Sequence, residues 1–201
     1  AIRLMLTLNV PENIEFDPRN YSYPIQVIKN TSPKGFGSNH NQAFNSTEDR
    51  YFCVVNPDIR LTNCPLSALI GSLRDKSIGV VAPVVLGPSG DLEDSARQFP
   101  TLQKILVKQF NRKHIPDYAL QGDLVDVDWV AGMFMVFDRA VFHRIGGFNE
   151  RYFLYYEDVD LCARLQLAGL RVADKPDVRA VHPALRSSNT SFKYWRRRVR
   201  G

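Results

Sequence analysis

VDWVAGMFMVFDRAVFHRIGGFNERYFLYYEDVDLCARLQLAGLRV, residues 127–172, is the stretch that decides the fold. Its apolar run 133–137 has the length and composition of a buried strand. A short helix then leads to Gly146-Gly147. That pair reads as a turn that reverses the chain rather than as a phosphate cradle, because no G-x-G-x-x-G spacing accompanies it. Four aromatics within residues 152–156 precede two adjacent carboxylates, Glu157 and Asp158. A helix over 157–168, closed by Gly169, is expected next. Aromatic faces stack on sugar rings, and a carboxylate at a helix start can take a proton from a hydroxyl, so the combination suits a sugar-processing site.

Working outward, strand and helix signals alternate. Residues 2–8 and 24–28 are β-like, and a short helix follows the Gly35-Phe36-Gly37 turn. The apolar run 51–55 ends at Asn56-Pro57-Asp58. A helix is expected over 66–73, one or two strands over 78–86 interrupted at Pro83, and a turn over 87–90. A helix over 101–110, a loop over 111–126, a strand region over 127–137 and short strands at 171–173 and 178–181 complete the series. This alternation predicts an α/β chain with a mostly parallel sheet flanked by helices. At 201 residues, with no internal repeat or linker, it predicts one domain over 1–201.

Composition is that of a globular protein, 44% hydrophobic and 23% charged, and no apolar run is long enough to span a bilayer. Cys53, Cys64 and Cys162 are odd in number and lack metal-type spacing, which fits reduced thiols in the cytoplasm. The net charge of +5 is uneven: the tail 186–201 carries six basic residues and no acid, together with Phe192, Tyr194 and Trp195. That tail reads either as a peripheral contact with the inner face of an anionic membrane or as a solvated helix. Nucleic acid is not expected as a partner, since no recognition module is visible.

Six short motifs lie in order along the chain: Gly35-Phe36-Gly37-Ser38-Asn39-His40-Asn41; Asn56-Pro57-Asp58; Arg97-Gln98-Phe99-Pro100; Asp128-Trp129-Val130-Ala131-Gly132; Gly146-Gly147-Phe148-Asn149-Glu150; and Glu157-Asp158-Val159-Asp160-Leu161. With His182 after the last apolar strand, the series resembles family 2 glycosyltransferases of the GT-A fold, in particular the bacterial rhamnosyltransferase-like branch. The resemblance implies a Rossmann-like GT-A sheet. It further implies an inverting transfer from a nucleotide-diphosphate sugar to a saccharide or lipid-linked acceptor in surface polysaccharide synthesis, with Mg²⁺ or Mn²⁺ as cofactor. Rhamnose from a dTDP donor is the sugar it suggests. The N-terminus departs from the family pattern. Either the chain opens at the second strand and lacks the first βα unit, or Thr7 and Asn9 stand where the first strand's Thr-x-Asn normally stands.

Candidate site residues follow. Asp58 sits beyond a strand end, where open α/β sheets bind ligands, and can offer oxygen to a hard cation; an Asx turn is the plain alternative. The resemblance gives Asp58 the metal role, with Asn56 replacing the first acid of the usual Asp-x-Asp motif. It adds His182 as a second ligand to the metal or a contact to the diphosphate; a structural histidine is the alternative. On a helix starting near Asp158, that residue tops the apolar stripe formed with Leu161, Cys162 and Leu165, which makes Asp158 the general base. Glu157 is expected nearer the other side, orienting Asp158 or touching the acceptor, and Asp160 is assigned to an i,i+4 pair with Arg164. Simple capping of the helix is the alternative for both acids. Trp129 reads as a wall of the sugar site or as a core residue, and Gly132 as a point of close backbone approach. Arg97 pairs either with a diphosphate or with Asp94 or Glu93. Asn41 and Tyr156 complete the substrate-binding set. Two rivals stand beside transfer: a GT-A-like module that binds sugar or nucleotide without turnover, and a sugar nucleotidyltransferase. The latter lacks its glycine-rich, lysine-containing phosphate loop here.

Overall fold

A computed structural model of the chain describes residues 2–14, 16–61, 64–93, 95–99 and 117–183. The expected helix 101–110, most of the first half of the loop 111–126, and the basic tail lie outside the described residues. In chain order the strands are β1 (Leu4–Leu8), β2 (Ile25–Lys29), β3 (Tyr51–Val55), β4 (Ile78–Leu86), β5 (Ala96–Arg97), β6 (Val125–Asp126), β7 (Trp129–Val130), β8 (Phe134–Asp138) and β9 (Arg171–Val181). The helices are α1 (Phe36–Asn45), α2 (Leu66–Ser72), α3 (Arg139–Arg144) and α4 (Glu157–Leu167).

Five strands form the central sheet in the order β3-β8-β4-β9-β6. β3, β4 and β9 run one way, and β8 and β6 run against them. The sheet is therefore mixed where the sequence suggested mostly parallel. Within it β4 and β9 pair in parallel, and the other three pairs of neighbours, β3-β8, β8-β4 and β9-β6, are antiparallel. β1 and β2 pair in parallel as a separate two-stranded sheet, and Arg3 Nε reaches Asp49 Oδ2 at 3.1 Å just before β3. β5 and β7 form a short antiparallel ribbon.

Side chains alternate across the central sheet and build a core on each face. Val54, Val80, Ala82, Met135, Phe137 and Val172 face one side, against Leu161, Cys162 and Leu165 of α4. Val81, Phe134, Val136 and Ala173 face the other, against Leu69 of α2 and the following Leu73. β4 is buried on both faces over residues 78–85, as a central strand must be. It runs through Pro83 without breaking, because its register with β9 shifts between Pro83 and Val84. The two short strands expected at 171–173 and 178–181 are thus one strand with a bulge around Pro176, where a missing N–H is tolerated.

Asp174, opposite Ala82 and Val125 in this strand, is fully buried, and neither carboxylate oxygen has a hydrogen-bond partner. Burial alone pushes its pKa up to about 7. The next residue, Lys175, instead reaches Asp123 at 2.7 Å and Asp177 at 3.1 Å.

Candidate active site

The first half of the site stands where β3 and β9 end. Past Val55, the Asn56 N–H donates to Met133 O at 2.9 Å, and Ile59 N–H donates to Asn56 O, closing a turn around Pro57-Asp58. Arg60 and Val181 then exchange two backbone hydrogen bonds, of 2.7 and 2.9 Å, and His182 N–H donates to Leu86 O. This brings His182 Nε2 to 3.2 Å from Asp58 Oδ2, so the two residues proposed from opposite ends of the sequence meet. The Asp58 side chain is 45% exposed and that of His182 16%. One carboxylate oxygen and one imidazole nitrogen suit a divalent cation that takes its remaining ligands from phosphate and water. Among the described residues no group of three such side chains gathers, so a cation here would depend on substrate to complete its shell.

The second half adjoins the first through the same backbone. Met133 bonds Asn56, and its neighbour Gly132 donates its N–H to Asp158 Oδ2 at 3.0 Å. Val159 N–H donates to Asp158 Oδ1 at 2.9 Å. Asp158 is half-buried. Burial raises its pKa, opposed by the Gly132 and Val159 amides and by the Arg97 charge. Both oxygens are thus held by donors that favour the ionised form, the arrangement a general base needs. Glu157 differs. It is 5% exposed, its Oε2 has no partner, and burial, then the Asp158 charge, push it up to about 7. The expected order of burial is therefore reversed, with Glu157 deeper than Asp158. The cause lies in Tyr155 and Tyr156, whose φ values of +72° and +69° precede a helix that begins at Glu157. A helical wheel begun near Asp158 does not anticipate that entry.

The remaining candidates separate into fastenings and exposed groups. Asp160 pairs with Arg164 at 2.7 Å as expected, and Arg164 also donates to Ile145 O and Gly147 O, pinning the glycine turn to α4. Gly146 and Gly147 have φ of +77° and +67° and close α3. Trp129 does not wall an open site. It is 8% exposed, its indole N–H donates to Gln98 O, and the Arg97 guanidinium lies 5.1 Å over its ring. Trp129 is the core residue of the two alternatives, and it seats Arg97 near Asp158; Asp94 lies outside the described residues. Asn41 is committed elsewhere: its amide donates to Phe148 O and Glu150 Oε1, and its oxygen accepts from Phe148 N–H. Asn41 therefore braces the glycine turn rather than reaching substrate. Gly132 provides close approach as expected, but to the Phe36 ring, which a Cβ would meet at 3.0 Å. Tyr156 is exposed. The sequence reading missed Phe153, whose carbonyl takes the Phe36 N–H at the start of α1. Gly35 has no side chain because that backbone leaves no room for one, and this is the signal that could have paired the two loops.

The architecture is that of the GT-A glycosyltransferases. A structure of GalNAc-T7 with UDP, GalNAc and Mn2+ matches 90% of this chain and 37% of its own, with a TM-score of 0.65 at 11% identity. The mannosyltransferase PcManGT from Pyrobaculum calidifontis, in complex with GDP-Man and Mn2+, matches 87% of this chain and 43% of its own, with a TM-score of 0.56 at 18% identity. Sequence carries the assignment further. Residues 18–201 match the family described as glycosyltransferase like family 2, and the chain belongs to that family. It is 34% identical over 170 residues to rhamnosyltransferase WbbL of Escherichia coli (strain K12), covering 79% of this chain and 64% of that protein. It is 31% identical over 144 residues to the N-acetylglucosaminyl-diphospho-decaprenol L-rhamnosyltransferase of Mycobacterium tuberculosis, covering 67% and 47%. The chain thus spans about half to two thirds of the length of these relatives. No described helix is long and apolar enough to cross a membrane.

Proposed function

We propose that this chain transfers a sugar from a nucleotide-diphosphate donor to a hydroxyl of a saccharide or lipid-linked acceptor, with inversion, in the assembly of bacterial surface polysaccharide. The observation that carries the reading is the meeting of two groups of residues: Asp58 beside His182, and Asp158 held by the amide of Gly132, one residue from the Met133 carbonyl that accepts the Asn56 N–H. Asp158 accepts the acceptor hydroxyl's proton as that oxygen attacks the anomeric carbon, and the nucleoside diphosphate leaves from the opposite face. Asp58 and His182 are the residues that would hold Mg²⁺ or Mn²⁺. The chemistry such a cation would supply is neutralisation of charge on the leaving group. The two fold neighbours, one with UDP and Mn2+ and the other with GDP-Man and Mn2+, support the metal. The names of the two relatives support rhamnose as the sugar, and the second of those names supports a lipid-linked diphosphate as the acceptor.

The test is calorimetric binding of dTDP, UDP and GDP with Mn²⁺ and with EDTA, on the wild type and on Asp58→Ala. The expected result is one nucleotide bound in a metal-dependent manner, with the metal dependence lost in Asp58→Ala. Metal dependence unchanged in the variant rejects the assignment of Asp58. Metal-dependent binding without transfer to any acceptor would instead mark a binding module.

A further inference from the structure

Tyr155 and Tyr156 are the non-glycine residues with left-handed backbone among the described residues. An L side chain in that region crowds its own backbone, and such residues persist where the surroundings impose them. Here both flanks do so. Upstream, the Phe153 carbonyl is tied to Phe36 N–H at 2.9 Å, and Gly35 lies so close that a Cβ on it would sit 2.8 Å from that oxygen. Downstream, the Tyr156 carbonyl accepts the Asp160 N–H in the first turn of α4, and Glu157 is buried. The clamped turn leaves the Tyr156 ring outside, 43% exposed, two residues from Asp158. Glycine would take this conformation without strain and asparagine with little, so what tyrosine adds is its ring.

We propose that the strained turn exists to present Tyr156 as the acceptor platform, its ring stacking on the sugar of a saccharide acceptor whose hydroxyl meets Asp158. An exposed aromatic face suits the C–H face of a pyranose, and its place two residues from Asp158, the group that meets the acceptor hydroxyl, assigns it to the acceptor rather than to the donor, whose diphosphate belongs to the Asp58–His182 end. The inference rests on Asp158 as the general base.

The experiment compares Tyr156→Gly, Tyr156→Asn and Tyr156→Phe with the wild type. It reads thermal midpoint, calorimetric binding of soluble alkyl glycosides, and kinetics with the donor whose nucleotide binds. Tyr156→Gly should raise the midpoint by about 2–4 °C. It should also weaken glycoside binding and raise acceptor KM by about three- to tenfold, with donor KM moving less than about twofold. Tyr156→Asn should weaken acceptor binding equally, and Tyr156→Phe should match the wild type. A midpoint that stays or falls in Tyr156→Gly overturns the strained turn. Acceptor binding that is unchanged, or a donor KM that rises in parallel, overturns the platform. The transferase reading fails separately: no nucleotide release from any donor by the wild type, with glycoside binding still lost in Tyr156→Gly, would sink it, and with it the acceptor role, and leave Tyr156 as a glycoside-binding surface only.

Discussion

Replacing Asp174 with valine should stabilise the protein, and by more at alkaline than at acid pH. The carboxyl is fully buried between β4 and β6 and lacks a hydrogen-bond partner, and its pKa rises from 3.8 to about 7 by burial alone. The folded chain therefore keeps a proton that the unfolded chain gives up. Stability is full below the unfolded pKa and declines as pH rises from about 4 through about 7. Each pKa unit is worth about 1.4 kcal/mol, so the accumulated loss is about 2 kcal/mol at pH 5 and about 4 kcal/mol at pH 8. Valine suits a strand, is close in size, and removes the ionisation together with two unpaired oxygens. Urea unfolding at both pH values, with the m-value checked for constancy, measures the difference. Because Glu157 titrates over the same range, variant must be compared with wild type at each pH rather than wild type with itself. The expected gain is about 2 kcal/mol larger at pH 8 than at pH 5. An equal gain at both pH values would refute the reasoning, since the carboxyl would then be ionised in the folded protein.

Asp158→Asn should lower turnover by several orders of magnitude while leaving nucleotide affinity within a few-fold; initial-rate measurements near wild type would remove Asp158 from the chemistry. Gly35→Ala should destabilise the fold by about 1–3 kcal/mol, because its methyl meets the Phe153 backbone at 2.8–2.9 Å; an unchanged urea midpoint would show that the two loops are free to part.

Much of the framework was legible because its signals are local. The apolar run 51–55, the helix closed by Gly169 and the Asp160–Arg164 pair each depend on neighbours within a few residues, and the structure reproduces them. Asp58 and His182 were legible singly, as residues beyond strand ends, and their meeting needed the sheet order. What escaped depends on direction and depth. Strand polarity was invisible, because apolar runs carry no arrow. Trp129 and Asn41 carry side chains that suit substrate, yet both face backbone brought in from distant segments. Asp174 lies in an Asp-Lys-Pro-Asp sequence that reads as a turn, and only the bulge beside Pro83 lets it run as strand.

The paired hydrogen bonds between Arg60 and Val181 have a consequence for how this site can vary. They join main chain to main chain, so the spacing of Asp58 and His182 is fixed by the path of the backbone and is indifferent to the side chain at residue 60. That position is a free variable: it can change charge, size or polarity close to Asp58 and His182 while the two side chains keep their distance. If Asp58 and His182 hold the metal as proposed, a scaffold of this kind can be retuned toward a different donor without moving either of them.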